Sequence, residues 1–248
     1  MAGHSKWANI QHRKGRQDAK KAKFFTKAAK DIILAAKAGG GNPDDNATLR
    51  LAIQKAKAVN LPKDRIENAI KKGTGELAGG DLAEILYEGY GPGGVAMLVE
   101  VATDNKNRTV AEIRHAFSKH GGNMAENGSV SYLFNRKGVI VFLKDKYTED
   151  ELMEVGLEAG AEDIIDDGDS FTVHTAPADF MAVQQAFADA GMEYESAEFN
   201  QVPETFIPVD ATVGKKVMNL FDALDDNDDA LNVYMNADLP DDLFDGED

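Results

Sequence analysis

The chain has 248 residues, 43% of them hydrophobic, and its formal net charge at pH 7 is -16. It contains no cysteine, which excludes disulfide bonds, thiolate zinc sites and cysteine nucleophiles. Apolar runs such as residues 32–36 are at most five residues long, far too short to cross a bilayer, and no signal-peptide core follows the first lysines. We therefore expect a cytoplasmic protein without membrane contact, long enough to form several small domains.

Charge is divided unevenly along the chain. Residues 1–80 hold 17 Lys and Arg against 7 Asp and Glu, which leaves 10 and 36 for residues 81–248. Such asymmetry indicates contact with a polyanion at the basic end and repulsion from it elsewhere. The plainer interpretation, a lysine-rich helix face in water, stays open at this point.

The basic segment is predicted to form a helix over residues 17–38. Arg16, Lys20, Lys23, Lys27 and Lys30 follow 4, 3, 4, 3 spacing, so they share one face, and the apolar residues lie opposite. We expect this cationic face to be exposed.

Two further helices complete a small basic bundle. Glycines 39–41 end the first helix, and the second follows Pro43, with Asp44 or Asp45 as its N-cap. The third begins at Pro62, which suits a first helical position, and stops at Gly73.

Beyond a glycine-rich linker at 74–80 the pattern changes to strands. Strands 84–90 and 95–103 flank GPGG, which predicts a hairpin. Residues 138–200 have the order β-α-β-β-α-β of a ferredoxin-like unit. A second such unit needs elements from both sides of the first: strands 95–103, 129–135, 205–209 and 230–236, with helices 107–119 and 211–224.

We therefore predict an α+β multidomain protein, in which an N-terminal three-helix domain is followed by two ferredoxin-like α/β domains, one inserted in the other. A purely sequential arrangement of the two stays open. The predicted parts are a basic helical domain at 1–78, a discontinuous ferredoxin-like domain at 79–136 and 203–240, an inserted one at 137–202, and an acidic tail at 241–248.

Familiar catalytic and ligand-binding motifs are missing. GPGGVA at 91–96 matches G-x-G-x-x-A but opens a strand, so it lacks the helix N-terminus that holds a dinucleotide. Asp225, Asn227 and Asp229 have calcium-loop spacing, but Ala230 and Asn236 stand where glycine and a bidentate glutamate are needed. There is no H-E-x-x-H and no G-x-S-x-G. We expect no enzyme activity, no metal and no cofactor.

The N-terminal segment is the leading candidate for a nucleic-acid contact. Its cations can neutralise phosphates, and Trp7, the only tryptophan, can either stack on a base or fill the bundle core. The candidate cations are Lys6, His12, Arg13, Lys14, Arg16, Lys20, Lys21, Lys23, Lys27 and Lys30.

A second candidate contact surrounds the predicted hairpin turn. Its aromatic rings and glycine backbone can approach a ligand, although glycines that only supply positive φ and tyrosines that only pack explain the motif equally well. Two cations of DNKNRT lie near the next strand end. This set comprises Tyr87, Tyr90, Gly91, Gly93, Gly94, Lys106 and Arg108.

Several motifs in order resemble the YebC family, which includes mitochondrial translational activators of cytochrome oxidase. The match runs from residue 1 to at least 210 and includes the motifs MAGHSKWANIQHRK, KAAKDIILAAKAGGGNP, YEGYGPGG, DNKNRTVAEIRHAFSKHGGN, GSVSYLF and LEAGAEDI. The resemblance implies three domains, a helical one and two α/β ones. It implies nucleic-acid contact by GHSKWANIQHRK and the basic helix, and by YEGYGPGG.

For function, the resemblance offers either a DNA-binding transcriptional regulator or a ribosome-associated factor that binds RNA and assists translation. The sequence shows no helix-turn-helix signature, which favours structured RNA on physical grounds. A third possibility is an adaptor whose basic end binds an acidic protein. We expect a monomer that binds nucleic acid and no small-molecule substrate.

Overall fold

The computed structural model describes residues 21–240 and residue 243. The described residues fall into two compact units, residues 21–131 with 215–235 and residues 132–214 with 236–240 and 243. They are called the first and the second unit below. The α+β class, with a helical N-terminal part followed by two antiparallel sheets, is confirmed.

The first unit begins with three helices and continues into a sheet. Its elements are α1 (Lys21–Gly39), α2 (Ala47–Ala58), α3 (Lys63–Gly73), β1 (Ala83–Tyr90), β2 (Ala96–Thr103), α4 (Lys106–Lys119), β3 (Asn123–Met124), the end of α7 (Ala211–Asp225) and β9 (Ala230–Met235).

The three helices pack around aliphatic side chains, because each helix places apolar residues three and four positions apart. Ile32, Leu49 and Ala56 are fully buried in this core. The N-cap of α2 is Asn46 and not Asp44 or Asp45: its side chain accepts a hydrogen bond from the Leu49 N–H at 3.0 Å. The Asn46 amide also donates to the carbonyl of Ala35 at 2.8 Å, which ties the start of α2 to α1.

The first sheet has the strand order β3-β1-β2-β9, and every pair is antiparallel. The GPGG hairpin is confirmed, with Ala83 opposite Thr103 and Tyr90 opposite Ala96. The strand expected at 205–209 is not in this sheet. Only β8 (Ile207–Pro208) forms there, and it pairs with β10 (Ala237–Asp238). Proline lacks the N–H that a central strand needs, and a short hairpin turn places β1 next to β2 instead.

The second unit contains one four-stranded sheet and two helices. The elements are β4 (Phe134–Leu143), α5 (Glu149–Ala159), β5 (Ala161–Asp166), β6 (Ser170–Thr175), α6 (Phe180–Asp189) and β7 (Ser196–Pro203), followed by β8 and β10. The sheet order is β5-β6-β4-β7, all antiparallel, which is the ferredoxin-like arrangement expected from the sequence.

The second sheet differs from expectation at its first strand. Residues 129–135 and 138–144 are not two strands: Ser131–Leu133 form a 3-10 turn, and β4 then runs without interruption from Phe134 to Leu143. In the sequence, all four strands of the second sheet lie between β3 and β9, which are both strands of the first sheet.

A glycine in β4 allows close packing of the sheet against α6. A Cβ at Gly138 would overlap the ring of Phe180 and the hydroxyl of Thr175. We expect Gly138→Ala to lower the free energy of unfolding by about 1–3 kcal/mol, because the added methyl group would overpack the core. Urea denaturation checks this. Asn135→Ala, at an exposed position of the same strand, should change the stability by less than about 0.5 kcal/mol, and equal stability of the two variants would contradict the packing argument.

Candidate nucleic-acid interface

Much of the predicted N-terminal contact lies outside the described residues. This holds for Lys6, Trp7, His12, Arg13, Lys14, Arg16 and Lys20. Lys21 is the first residue of α1, but its side chain also lies outside the described part. The roles of these residues stay predictions.

The three described lysines of the basic face meet an acidic turn. This turn, residues 225–229 (DDNDD), connects α7 to β9. Lys27 Nζ lies 2.8 Å from Asp225 Oδ1, and Lys23 Nζ lies 3.3 Å from Asp225 Oδ2 and 3.0 Å from Asp226 Oδ1.

Lys30 meets the far end of the same turn. Its Nζ lies 2.8 Å from Asp229 Oδ1 and donates to the Asp228 carbonyl at 2.9 Å.

The expectation of an exposed cationic face is therefore wrong for these three residues. The helical spacing does place Lys23, Lys27 and Lys30 on one face, but their side chains are only 13–14% exposed. The partners come from residues about 200 positions further along the chain, which a helix pattern does not show.

Asp229 is the most heavily bonded member of the acidic turn. Its Oδ2 accepts hydrogen bonds from Thr109 at 2.6 Å, from Arg108 at 2.8 Å and from Thr103 at 3.0 Å, while its Oδ1 faces Lys30. Burial by itself raises the pKa of the Asp229 carboxyl, but the hydrogen bonds from Arg108, Lys30 and Thr109 outweigh burial and hold the pKa well below its usual range. The carboxylate is therefore a fixed negative charge.

This carboxylate links residues from both predicted contacts. Lys30 belongs to the N-terminal set and Arg108 to the second set, and both bind Asp229. Arg108 also reaches Asp104 at 3.2 Å, and Lys106 is exposed in the first turn of α4. Sequence reasoning considered Asp229 only as a calcium ligand and missed this role, although the match between a basic helix face and an acidic cluster was a usable signal.

The hairpin turn is folded around its own hydrogen bonds. The Gly91 N–H donates to the Val95 carbonyl at 2.8 Å and the Gly94 N–H donates to the Gly91 carbonyl at 3.2 Å. Gly93 and Gly94 both have φ of 76°, the left-handed region that favours glycine. These contacts fit the explanation of GPGG as a turn, with Gly93 and Gly94 exposed at its tip.

The two tyrosines of the motif are not free aromatic rings. Tyr87 is buried, and this burial raises the pKa of its hydroxyl. Tyr90 is half-buried and donates from its hydroxyl to the Ser129 carbonyl at 3.0 Å. Both contacts fit the interpretation in which the tyrosines of this motif pack, and a ligand contact by these residues stays a prediction.

Glu88, between these tyrosines, is a structural residue that sequence reasoning missed. Its carboxylate accepts hydrogen bonds from the backbone N–H groups of Gly128, Val130 and Ser131 at 2.7–2.8 Å. Burial raises its pKa, but these three hydrogen bonds outweigh burial and leave the pKa lowered. Glu88 thereby holds the segment between β3 and β4.

Helices α2 and α3 carry exposed cations that the sequence analysis did not select. Among the described residues of these two helices, the exposed ones are Arg50, Lys57, Lys63, Arg65 and Lys71. Lys63 lies 3.8 Å from Glu67, and the Arg65 guanidinium lies 6.0 Å from the centre of the Phe25 ring. The helical part thus keeps solvent-facing positive charge in addition to the paired lysines.

Metal-binding clusters and membrane-spanning helices are absent from the described residues. No group of three or more His, Cys, Asp or Glu within 21–240 is arranged to hold a metal ion. No helix in that part of the chain is long and apolar enough to cross a membrane.

Comparison with known proteins gives consistent matches over nearly the whole chain. A family model for the TACO1/YebC protein N-terminal domain matches residues 5–76, and one for the TACO1/YebC second and third domain matches residues 82–237. The sequence is 65% identical to a "Probable transcriptional regulatory protein" of Maridesulfovibrio salexigens, over 98% of both chains. It is 60% identical to a protein of the same name from Solidesulfovibrio magneticus, over 98% of this chain and 100% of that one.

The fold also has a solved counterpart. The crystal structure of a conserved hypothetical protein from Aquifex aeolicus superposes with a TM-score of 0.84 at 41% sequence identity, and covers 92% of this chain and 94% of that one.

Proposed function

The chain belongs to the TACO1/YebC family, and we propose that it is a non-enzymatic regulator of gene expression that binds nucleic acid through its basic N-terminal part. Its relatives are named probable transcriptional regulatory proteins, which supports a regulatory role. We propose a cytoplasmic location and DNA as the target in this transcriptional form.

The observation that carries the proposal is the separation of charge. Residues 1–80 have a balance of +10 within a chain whose net charge is -16. Cations on one end bind phosphates and release the counterions condensed on them, while the acidic remainder is repelled. The molecule would therefore approach a polyanion with its N-terminal part foremost.

A second form of the proposal has RNA as the target. The same cations can contact ribosomal RNA, in which case the protein is a ribosome-associated translation factor. The absence of a helix-turn-helix signature from the sequence favours this form, because duplex DNA is most often read by a helix in the major groove.

The test removes four cations from one end of the chain, and the control removes four from elsewhere, so that both variants undergo the same change in overall charge. In the first variant Lys6, Arg13, Lys14 and Arg16 become glutamine. In the control variant Lys119, Lys146, Lys215 and Lys216, all exposed and all beyond residue 80, become glutamine. Binding to a fluorescein-labelled DNA duplex and to the matching single-stranded RNA is measured by anisotropy as a function of salt.

We expect the N-terminal variant to lose up to about 3–4 units of the slope of log affinity against log salt, since each phosphate contact contributes about 0.9. The control variant should keep the wild-type slope. Equal behaviour of the two variants, or no binding by the wild type at low salt, would contradict the proposal. Crosslinking in cells, followed by sequencing of the attached nucleic acid, then decides between promoter DNA and ribosomal RNA.

A further inference from the structure

The carboxylates of the acidic turn bind lysine ammonium groups that a polyanion would otherwise contact. We propose that Asp225 and Asp226 mask Lys23 and Lys27 as an internal substitute for phosphate, so that nucleic acid and the acidic turn compete for the same ammonium groups. This inference rests on the proposed function and concerns how the same interface is regulated.

The contacts have the chemistry of a phosphate contact. Lysine ammonium groups bind carboxylate and phosphate oxygens through similar charge-assisted hydrogen bonds. Lys27 makes one to Asp225 at 2.8 Å, and Lys23 makes one to Asp226 at 3.0 Å and a longer one to Asp225 at 3.3 Å. The turn thus presents two negative charges to two neighbouring lysines of one helix face.

The aspartates of the acidic turn differ in how far their side chains are exposed to solvent. The Asp226 side chain is 55% exposed, whereas those of Asp225 and Asp229 are 11% and 7% exposed. A partly exposed ion pair contributes little to stability, so a polyanion can displace Asp226 at small cost.

The ion pair of Asp229 and Lys30 is the part of this contact that stays in place. Asp229 is also held by Arg108, Thr103 and Thr109, so its pairing with Lys30 does not depend on one contact. The backbone nearby is equally tied, since the Ala102 N–H donates to the Asp229 carbonyl at 2.9 Å. Release therefore concerns Lys23 and Lys27, at the N-terminal side of the fixed pair.

The competing explanation is that these ion pairs only attach α1 to the rest of the first unit. The two explanations differ in the sign of one effect. Removing a mask increases affinity for nucleic acid, whereas removing a purely structural attachment leaves affinity unchanged or lowers it.

The test compares two double variants with the same change in charge. Asp225→Asn with Asp226→Asn removes the proposed mask. Asp145→Asn with Asp169→Asn removes two exposed aspartates of the second unit and serves as the control. The probes are a fluorescein-labelled mixed-sequence DNA duplex and the matching single-stranded RNA.

We expect the first variant to bind more tightly than the control and with a steeper salt dependence. Two freed lysines add up to about 1.8 to the log-log slope for a duplex. Its gain over the control should therefore be about tenfold larger at about 50 mM salt than at about 200 mM salt. Adding Lys23→Gln and Lys27→Gln to the first variant should cancel this gain.

Other outcomes overturn the inference or its premise separately. Equal slopes of the first variant and the control, in a protein whose wild type binds, would overturn the mask alone. Failure of every form to bind either probe would overturn the proposed function as well. If circular dichroism shows that the double variant does not fold, Asp226→Asn alone, at the half-exposed position, should steepen the slope by up to about 0.9, and an unchanged slope there overturns the mask.

Discussion

Replacing Asp229 with alanine should lower the free energy of unfolding by about 3–5 kcal/mol, because two buried hydroxyl donors and two cations lose the carboxylate that they share. The side chain is 7% exposed and its Oδ2 accepts hydrogen bonds from Arg108, Thr103 and Thr109. Lys30 loses its carboxylate as well. Chemical denaturation of the wild type and the variant measures the loss.

The control for this prediction is Asp226→Ala in the same turn. The Asp226 side chain is 55% exposed, so its removal should cost less than about 1 kcal/mol. A similar, small cost for both substitutions would show that Asp229 does not hold the first unit together.

The same carboxylate predicts how stability depends on pH. A carboxyl whose pKa is lower in the folded protein than in the unfolded chain, where it is about 3.9, stabilises the folded protein above that value. This contribution is lost as the pH falls, since the unfolded chain then takes up the proton first. The stability difference between the wild type and Asp229→Asn should therefore shrink as the pH falls below about 4.

Replacing Glu88 with alanine should cost about 3 kcal/mol of stability and release the segment that it holds. Three buried or half-buried backbone N–H groups, of Gly128, Val130 and Ser131, lose a charged acceptor. Hydrogen exchange should accelerate at these amides more than in the helical core around Leu49. Denaturation measures the global loss.

The matched control for this prediction is Glu84→Ala, at an exposed position of the same strand. It should leave both stability and amide exchange near the wild-type values. Unchanged exchange at residues 128–131 in the Glu88 variant would contradict the proposed role. Acid should weaken this contribution in the wild type too, because the pKa of Glu88 is lowered in the folded protein.

Local patterns predicted most elements well because they depend on near neighbours. The GPGG turn between two apolar strands predicted the hairpin, and its register follows from the turn. Alternation and helical spacing between residues 138 and 200 predicted the second sheet with its two helices. The family resemblance is also confirmed.

The predictions from the sequence were wrong where several neighbouring residues could serve as the same helix cap, or where a strand pairs with a distant part of the chain. Asp44, Asp45 and Asn46 can all cap a helix, and only Asn46 also reaches the Ala35 carbonyl of α1. Strand 205–209 has strand-like composition, but the place in the first sheet is taken by β1. The proposed domain limits at residues 78, 136 and 202 stay predictions.

The sequence by itself determined that this protein has a basic helical N-terminal part, two α/β portions and one helix face that carries Lys23, Lys27 and Lys30. Only the tertiary structure decided what that face meets. Helical periodicity places side chains on a face within a few residues, whereas the exposure of that face depends on whichever part of the chain packs against it. Here that part is the acidic turn, about 200 residues away, which brings Asp225 and Asp229 against the lysines and leaves Asp226 at the edge of the solvent.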